Sequence, residues 1–397
     1  MDPLDALTQW LEASPNRERS GDFTGIRLDQ YREFLRYLPS PPAPCTVGGT
    51  KGKGSTVRLI EAGLIAFKVP TVAFTSPHVG SVCERWRVNG VPVAPELLLP
   101  LTAVVAAAEV KSGCGLTYFE RTAALAVLLA GAIPGCQLLW EVGLGGRLDC
   151  ANALDCRIAV LTHLSHDHRD ILGPTLTHIA AEKLPISRVG RPLVIAPQSV
   201  AAQAAVLGQL PVGVPVIWVT PATIPFVLAL RGQHQQDNAS TALAVLQQLL
   251  PDGSEAQFRA AMQQADLAAR CQLLEIAGRR ILIDGAHNGP SIAATMEVAK
   301  AHLRADWRLV LGLASDKEIE EISAVLPRGK TVHRCGYDSP RARGPADWPP
   351  EMLTAPWHHH IRQALASMPT GDICITGSFY LAGEALQVLA PQGSPPG

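Results

Sequence analysis

The sequence predicts an α/β protein built on mainly parallel sheets, and three features point there. Short apolar runs recur at 43–47, 69–74, 137–142, 158–161 and 193–196, each ending in a glycine-rich or polar turn. Helical patterns follow those turns, and strands that alternate with helices pack as a parallel sheet covered by helices. A second series of runs, at 281–283, 309–311, 331–333 and 373–376, begins after Arg270 and sets a domain boundary there, dividing the chain into 1–269 and 270–397.

Composition narrows the class. With 47% hydrophobic and 17% charged residues over 397 positions, the chain has material for two cores, and disordered or fibrous classes are excluded. Lys+Arg 34 against Asp+Glu 35 leaves a formal net charge of −1, so no broad field draws nucleic acid or an anionic membrane. The start of the chain carries Asp2, Asp5 and Glu12 and lacks a basic, then apolar, leader, which points to a cytoplasmic protein. Nine cysteines without a Cys-x-x-Cys pair read as reduced thiols.

Between Arg191 and Arg231 no residue is charged, but Pro197, Pro211, Pro215, Pro221 and Pro225 break the stretch too often for a membrane span. Short strands and turns are expected there. A helix rich in Ala, Leu and Gln is expected over 238–250, closed by the turn Pro251-Asp252-Gly253. The tail at 391–397 reads as unstructured, and His358-His-His360 as a surface cluster.

Ligands of parallel sheets bind beyond the carboxyl ends of the strands. There, after the first run, stands Thr46-Val-Gly-Gly-Thr-Lys-Gly-Lys-Gly-Ser-Thr56, followed by a helical stretch at 57–67. Glycines let backbone amides turn inward around phosphate oxygens, Lys53 can neutralise the β- and γ-phosphates, and the Ser55 hydroxyl can reach a magnesium ion. Gly54 separates Lys53 from Ser55, so the loop departs from a strict G-x-x-x-x-G-K-[ST].

Gly49-Thr-Lys-Gly-Lys-Gly-Ser55 resembles the GTNGKGS loop of folylpolyglutamate synthases and dihydrofolate synthases, in the Mur ligase superfamily, with Lys51 in place of Asn. Ser76-Pro-His78, Glu84-Arg85 with Asn89-Gly90, and Glu141-Val-Gly-Leu-Gly-Gly-Arg-Leu-Asp149 resemble further blocks of that family. So do His166-Asp-His168 with Gly173, Glu182-Lys183, Gly232-Gln-His-Gln235 with Asn238, Asp284-Gly-Ala-His-Asn288, Asp316-Lys317 and Gly377-Ser378, all in the family's order. The resemblance implies an N-terminal P-loop ATPase domain with a mainly parallel sheet, a smaller C-terminal Rossmann-like domain, and an active site in the cleft between them. It also implies an ATP- and Mg2+-dependent ligase of folate metabolism that joins L-glutamate to dihydropteroate, to (tetrahydro)folate, or to both. No partner chain is implied, and a monomer is expected.

Such chemistry needs no side-chain nucleophile. ATP converts the acceptor carboxylate to an acyl phosphate that the amine attacks, so the protein must align substrates and neutralise charge. By resemblance, ATP meets Gly49, Thr50, Lys51, Gly52, Lys53, Gly54, Ser55, Thr56, Asn238, Arg270 and Asp284, while the metal meets Ser55, Ser76, Glu141 and His168. Lys53, Lys183, Asp284 and His287 carry the chemistry, with Lys183 matching a lysine that is carbamylated in the superfamily. Thr117, Phe119, Arg147, Asp149 and Asn152 are expected to hold the pterin.

Plainer roles stand beside these. Ser76 could be a turn residue, His168 a helix cap, Lys183 an exposed helical lysine, His287 a turn histidine, Asn238 the cap of the helix it precedes, and Phe119 a core aromatic. Ala268-Ala269 replace the family's Pro-Gly before Arg270, and a hinge without glycine is stiffer. Thr162-His-Leu-Ser-His-Asp-His168 invites a zinc-hydrolase reading of the metallo-β-lactamase type, but Ser165 stands where that motif needs histidine. Two rival functions also fit a phosphate loop on this fold: a Mur-type ligase acting on a cell-wall precursor, and an inactive nucleotide-binding protein.

Overall fold

Every apolar run of the first series becomes a buried strand. The computed structural model describes residues 1–23 and 25–389, so the tail at 391–397 lies outside the described residues. The first sheet contains β1 (Cys45–Gly48), β2 (Thr71–Phe74), β3 (Trp86–Val88), β4 (Val91–Pro92), β5 (Gln137–Glu141), β6 (Ile158–Leu161), β7 (Leu193–Ile195) and β8 (Val216–Trp218). Their order is β4-β3-β2-β5-β1-β6-β7-β8, and from β2 to β8 every pairing is parallel.

Strands covered on both faces read as continuous apolar runs. On one face Phe74, Trp140 and Leu161 pack in a single core with Leu125 and Leu128 of helix Tyr118–Ala132. On the other, helix Lys53–Ala66 lies against β1, β2 and β5 and is backed by helix His234–Leu249. Trp140 is fully buried against Phe74, ring centroids 4.9 Å apart, and truncating such a residue costs roughly 3–5 kcal/mol.

The second sheet contains β9 (Gln272–Ile276), β10 (Arg279–Ile283), β11 (Arg308–Leu311), β12 (Val332–Cys335), β13 (Trp357–His358) and β14 (Ile373–Thr376), in the order β13-β12-β11-β14-β10-β9. Only the β9–β10 hairpin is antiparallel. Leu282, Leu309 and Leu311 pack with Ile292 of helix Gly289–His302 on one face, and Ile281, Val310 and Ile375 with Leu381 of helix Phe379–Leu389 on the other. Chain contacts group 1–77, 82–228 and 234–265 into one compact unit, and 78–81, 229–233 and the chain from Asp266 onward into a second.

The structure adds one feature to the sequence expectation and departs from it at three other points. Asn89 and Gly90, with φ of 49° and 82°, form a tight turn joining β3 to β4, the left-handed geometry that favours Asn-Gly. The helix expected from residue 238 starts at His234, so Asn238 lies inside it and caps nothing. The stretch at 192–230 holds helix Val200–Leu207 besides its strands, because the Ser199 hydroxyl caps its first turn through Ala202 N. His358 is not on the surface: it is buried on β13 with its Nε2 3.0 Å from His333 Nδ1. Among the described residues no helix is long and apolar enough to cross a membrane.

Candidate functional site

Because β1 lies between β5 and β6, the segments following these three strands converge. Loop 49–52 leaves β1 and enters helix Lys53–Ala66 directly, so Lys53, Gly54, Ser55 and Thr56 form its first turn. The amides of such a turn and the positive end of the helix favour an anion. Gly49 and Gly52 have φ of 138° and 87°. A Cβ at Gly49 would lie 2.0 Å from Thr162 Oγ1, and one at Gly52 would lie 2.2 Å from Asn238 Oδ1. Asn238 therefore packs against the loop itself, its Nδ2 donating to Gln235 Oε1 at 2.8 Å.

Thr50 and Lys51 tie the loop to the segment after β6. Thr50 N and Lys51 N donate to the His163 carbonyl at 2.9 and 3.2 Å, and Thr50 Oγ1 donates to the Ser165 carbonyl at 3.0 Å. Ser55 and Thr56 are buried, and among the described residues Thr56 Oγ1 has no hydrogen-bond partner.

Two lysines share one acceptor. Lys53 Nζ and Lys183 Nζ donate to the Gly49 carbonyl at 3.2 and 3.0 Å, and Lys53 also reaches the Thr50 carbonyl at 3.4 Å. Lys183 is 4% exposed, which overturns the exposed helical reading. Burial, and then the neighbouring Lys53 charge, lower its pKa to about 7.

Glu141 ends β5 beside Val47 of β1 and is 3% exposed. Its Oε2 accepts from Ser76 N at 3.1 Å, across 65 residues of chain, so Ser76 and Glu141 meet. A buried carboxylate requires donors or a cation. The Glu141 carboxylate and the Ser55 and Ser76 hydroxyls are hard oxygen donors of the kind magnesium favours. His168 sits at the N-terminus of helix Arg169–Leu172 with φ 47°, but its side chain makes no capping bond; it is 44% exposed and lies 4.0 Å from Asp167. Among the described residues no three His, Cys, Asp or Glu side chains gather as a metal cluster.

The glycine-rich block after β5 is held from within. Asp149 Oδ2 accepts from Gly143 N and Leu144 N at 3.0 and 3.2 Å, and Oδ1 from Ala151 N at 2.9 Å. Burial outweighs these amides and lifts the Asp149 carboxyl to about 6. Asn152 Nδ2 donates to the Arg147 carbonyl at 2.8 Å. The Arg147 guanidinium is half-exposed and pairs with Glu182 at 2.9 Å. Phe119 is partly buried against Phe74, centroids 5.7 Å apart, and against Gly143, where a Cβ would lie 2.7 Å from its ring. Thr117 opens helix Tyr118–Ala132 in a reciprocal capping box with Glu120, which occupies its hydroxyl. Glu182, notable in sequence only as the neighbour of Lys183, has a partner that spacing could not reveal.

The second unit carries the other candidates on loops after β10 and before β9. Asp284 is saturated internally: Oδ2 accepts from Cys271 N at 2.6 Å, and Oδ1 from Ala286 N and Thr295 Oγ1, both at 2.9 Å. His287 Nδ1 lies 2.9 Å from the Gly285 carbonyl. A carbonyl only accepts, so Nδ1 carries the proton and, in the neutral ring, Nε2 is the basic nitrogen. This is the turn-histidine geometry, and it orients the ring.

Ala269 and Cys271, on either side of Arg270, have φ of 52° and 47°. The left-handed region costs a residue with Cβ about 1–2 kcal/mol, and glycine in the unfolded chain returns roughly half of that. Ala269→Gly is expected to stabilise the protein by about 0.5–1 kcal/mol, read as a higher urea midpoint with unchanged slope. An equal or lower midpoint would show that Ala269 is not strained.

No family model matches the chain. The dihydrofolate synthase/folylpolyglutamate synthase of Escherichia coli strain K12 is 32% identical over 422 residues, covering 96% of this chain and 95% of that protein. Its Mycobacterium tuberculosis counterpart is 30% identical, with coverages of 75% and 70%. Among solved structures, Escherichia coli FolC in complex with DHPP and ADP superposes with a TM-score of 0.83 at 25% identity over 98% of both chains. A bifunctional folylpolyglutamate synthase/dihydrofolate synthase with Mn, AMPPNP and L-glutamate bound gives 0.81 at 26% identity, again over 98% of both.

Proposed function

The chain belongs to the dihydrofolate synthase/folylpolyglutamate synthase family, and from that premise we propose that it joins L-glutamate both to dihydropteroate and to (tetrahydro)folate. It is a ligase that uses ATP and a divalent metal ion. The observation that carries the residue-level reading is the meeting of two lysines on the Gly49 carbonyl in a glycine loop that opens a helix.

In this reading Gly49, Thr50, Lys51, Gly52, Gly54, Ser55 and Thr56 cradle the phosphates of ATP, and Lys53 neutralises the group being transferred to the acceptor carboxylate. The unpartnered Thr56 hydroxyl and the close Asn238 side chain favour that assignment. Magnesium would be held by Ser55, Ser76, Glu141 and His168 and would supply charge neutralisation at the phosphates. Lys183, whose amine titrates near neutrality, is assigned the carbamate. Arg270 and Asp284 serve the nucleotide, with Asp284 acting through the Cys271 amide that it holds, and His287 serves the incoming glutamate.

Phe119, Arg147, Asp149, Asn152 and Thr117 are assigned to the pterin. Asp149, Asn152 and Thr117 act by shaping backbone, because their side chains are already engaged, and Phe119 offers the stacking face. The reading includes two domains, 1–269 and 270–397, in a cytoplasmic monomer whose near-neutral charge suits small-molecule substrates.

Phosphate release from ATP and glutamate is the test. It is expected with dihydropteroate and, in a separate assay, with tetrahydrofolate, and to cease when either glutamate or acceptor is omitted. Release with one acceptor alone would reduce the proposal to a single activity. Release only with a cell-wall precursor would overturn it.

A further inference from the structure

The loops after β10 and β14 meet around an aromatic ring that sequence motifs do not single out. Phe379 opens helix Phe379–Leu389, directly after Gly377-Ser378. Gly377 N donates to the Ala286 carbonyl at 2.8 Å, and Asp284 N to the Ile375 carbonyl at 3.0 Å, so the two loops are bound to each other. A Cβ at Gly285 would lie 2.2 Å from Phe379 Cε1. The missing side chain therefore lets the ring lie against the backbone between Asp284 and His287.

Two candidate site residues rest on that ring. The Arg270 guanidinium lies 4.6 Å from its centroid, and the His287 imidazole lies 5.9 Å from it, tilted by 57°. Among the described residues no hydrogen bond or ion pair holds the Arg270 guanidinium. A cation over an aromatic face is fixed in place while its N–H donors stay available, whereas a carboxylate partner would consume them. The positive φ of Ala269 and Cys271 brings Arg270 to this platform from its own side.

We propose that Phe379 is a positioning residue for nucleotide binding, an aromatic platform that fixes the Arg270 guanidinium and leaves its donors available to the phosphates of ATP. The proposal rests on the assignment of Arg270 to ATP. Phe379→Leu keeps apolar bulk but removes the π face, and Phe379→Tyr keeps it.

The experiment measures KM for ATP and for the pterin acceptor in Phe379→Leu, Phe379→Tyr, Arg270→Ala and the Phe379→Leu/Arg270→Ala double variant, with unfolding temperatures for all. Phe379→Leu is expected to raise the ATP KM roughly three- to thirtyfold, the range of one cation–π contact, with the acceptor KM unchanged. Phe379→Tyr should return most of the affinity, and Phe379→Leu should add little once Arg270 is gone. An unchanged ATP KM in Phe379→Leu, with a raised one in Arg270→Ala, would overturn the proposal and leave the Arg270 assignment standing. So would equal rises for both substrates or full additivity in the double variant. An unchanged ATP KM in Arg270→Ala would overturn the assignment and the proposal with it.

Discussion

Lys53→Ala is expected to lower kcat by two to three orders of magnitude while leaving the unfolding temperature within a few degrees of the parent. The two effects separate because of where Lys53 stands. It is the first residue of helix Lys53–Ala66, where alanine is at least as good a helix former. Its Nζ bonds, to the Gly49 and Thr50 carbonyls at 3.2 and 3.4 Å, are long and partly exposed, and Gly49 keeps the bond from Lys183. Little fold energy depends on the ammonium. Phosphoryl transfer does, because a preorganised donor aimed at developing charge is worth about 3–4 kcal/mol in the transition state. Turnover measured beside a thermal melt checks both halves. A kcat within threefold of the parent would remove the 49–55 loop from the phosphate site.

How much of this is legible in the sequence depends on the range of the forces involved. β6 and β14 are legible to the residue, because an apolar run bounded by polar turns leaves one way to bury it. β9 and β13 are not. Gln272–Ile276 is an edge strand with no fully buried position, and Trp357–His358 is two residues long, so neither carries a period. The loop residues are legible as chemistry, since glycine, lysine and serine in that order suit little besides a phosphate. Their partners are hidden. Asp284 bonds Cys271 and Thr295, thirteen and eleven residues away, and Ser76 bonds Glu141 across 65; such contacts exist only once sheet order is known. Lys183 looks exposed by helical spacing because its acceptor, the Gly49 carbonyl, lies 134 residues earlier in the chain. Phe379 carries no signal because its value lies in what rests on it.

Lys183→Met is expected to push stability and activity in opposite directions. In the native protein burial, then Lys53, hold the Lys183 pKa near 7, against roughly 10.4 in the unfolded chain. Below pH 7 both states are protonated and the fold bears the full cost of a buried cation, an upper bound of roughly 5 kcal/mol. Between about pH 7 and 10 the unfolded chain binds the extra proton, so parent stability rises with pH. Methionine has similar length and no charge, and Gly49 retains its bond from Lys53. The variant should therefore be more stable than the parent at pH 6, by an amount that shrinks toward pH 9, which urea melts at both values measure. Activity should be lost, because an amine half neutral at pH 7 can take up carbon dioxide and a thioether cannot. A residue that costs stability where it is buried and is needed for turnover is held there by function. A variant less stable than the parent by the same margin at both pH values would show that Lys183 is an ordinary structural cation. Full turnover in the variant would withdraw the carbamate.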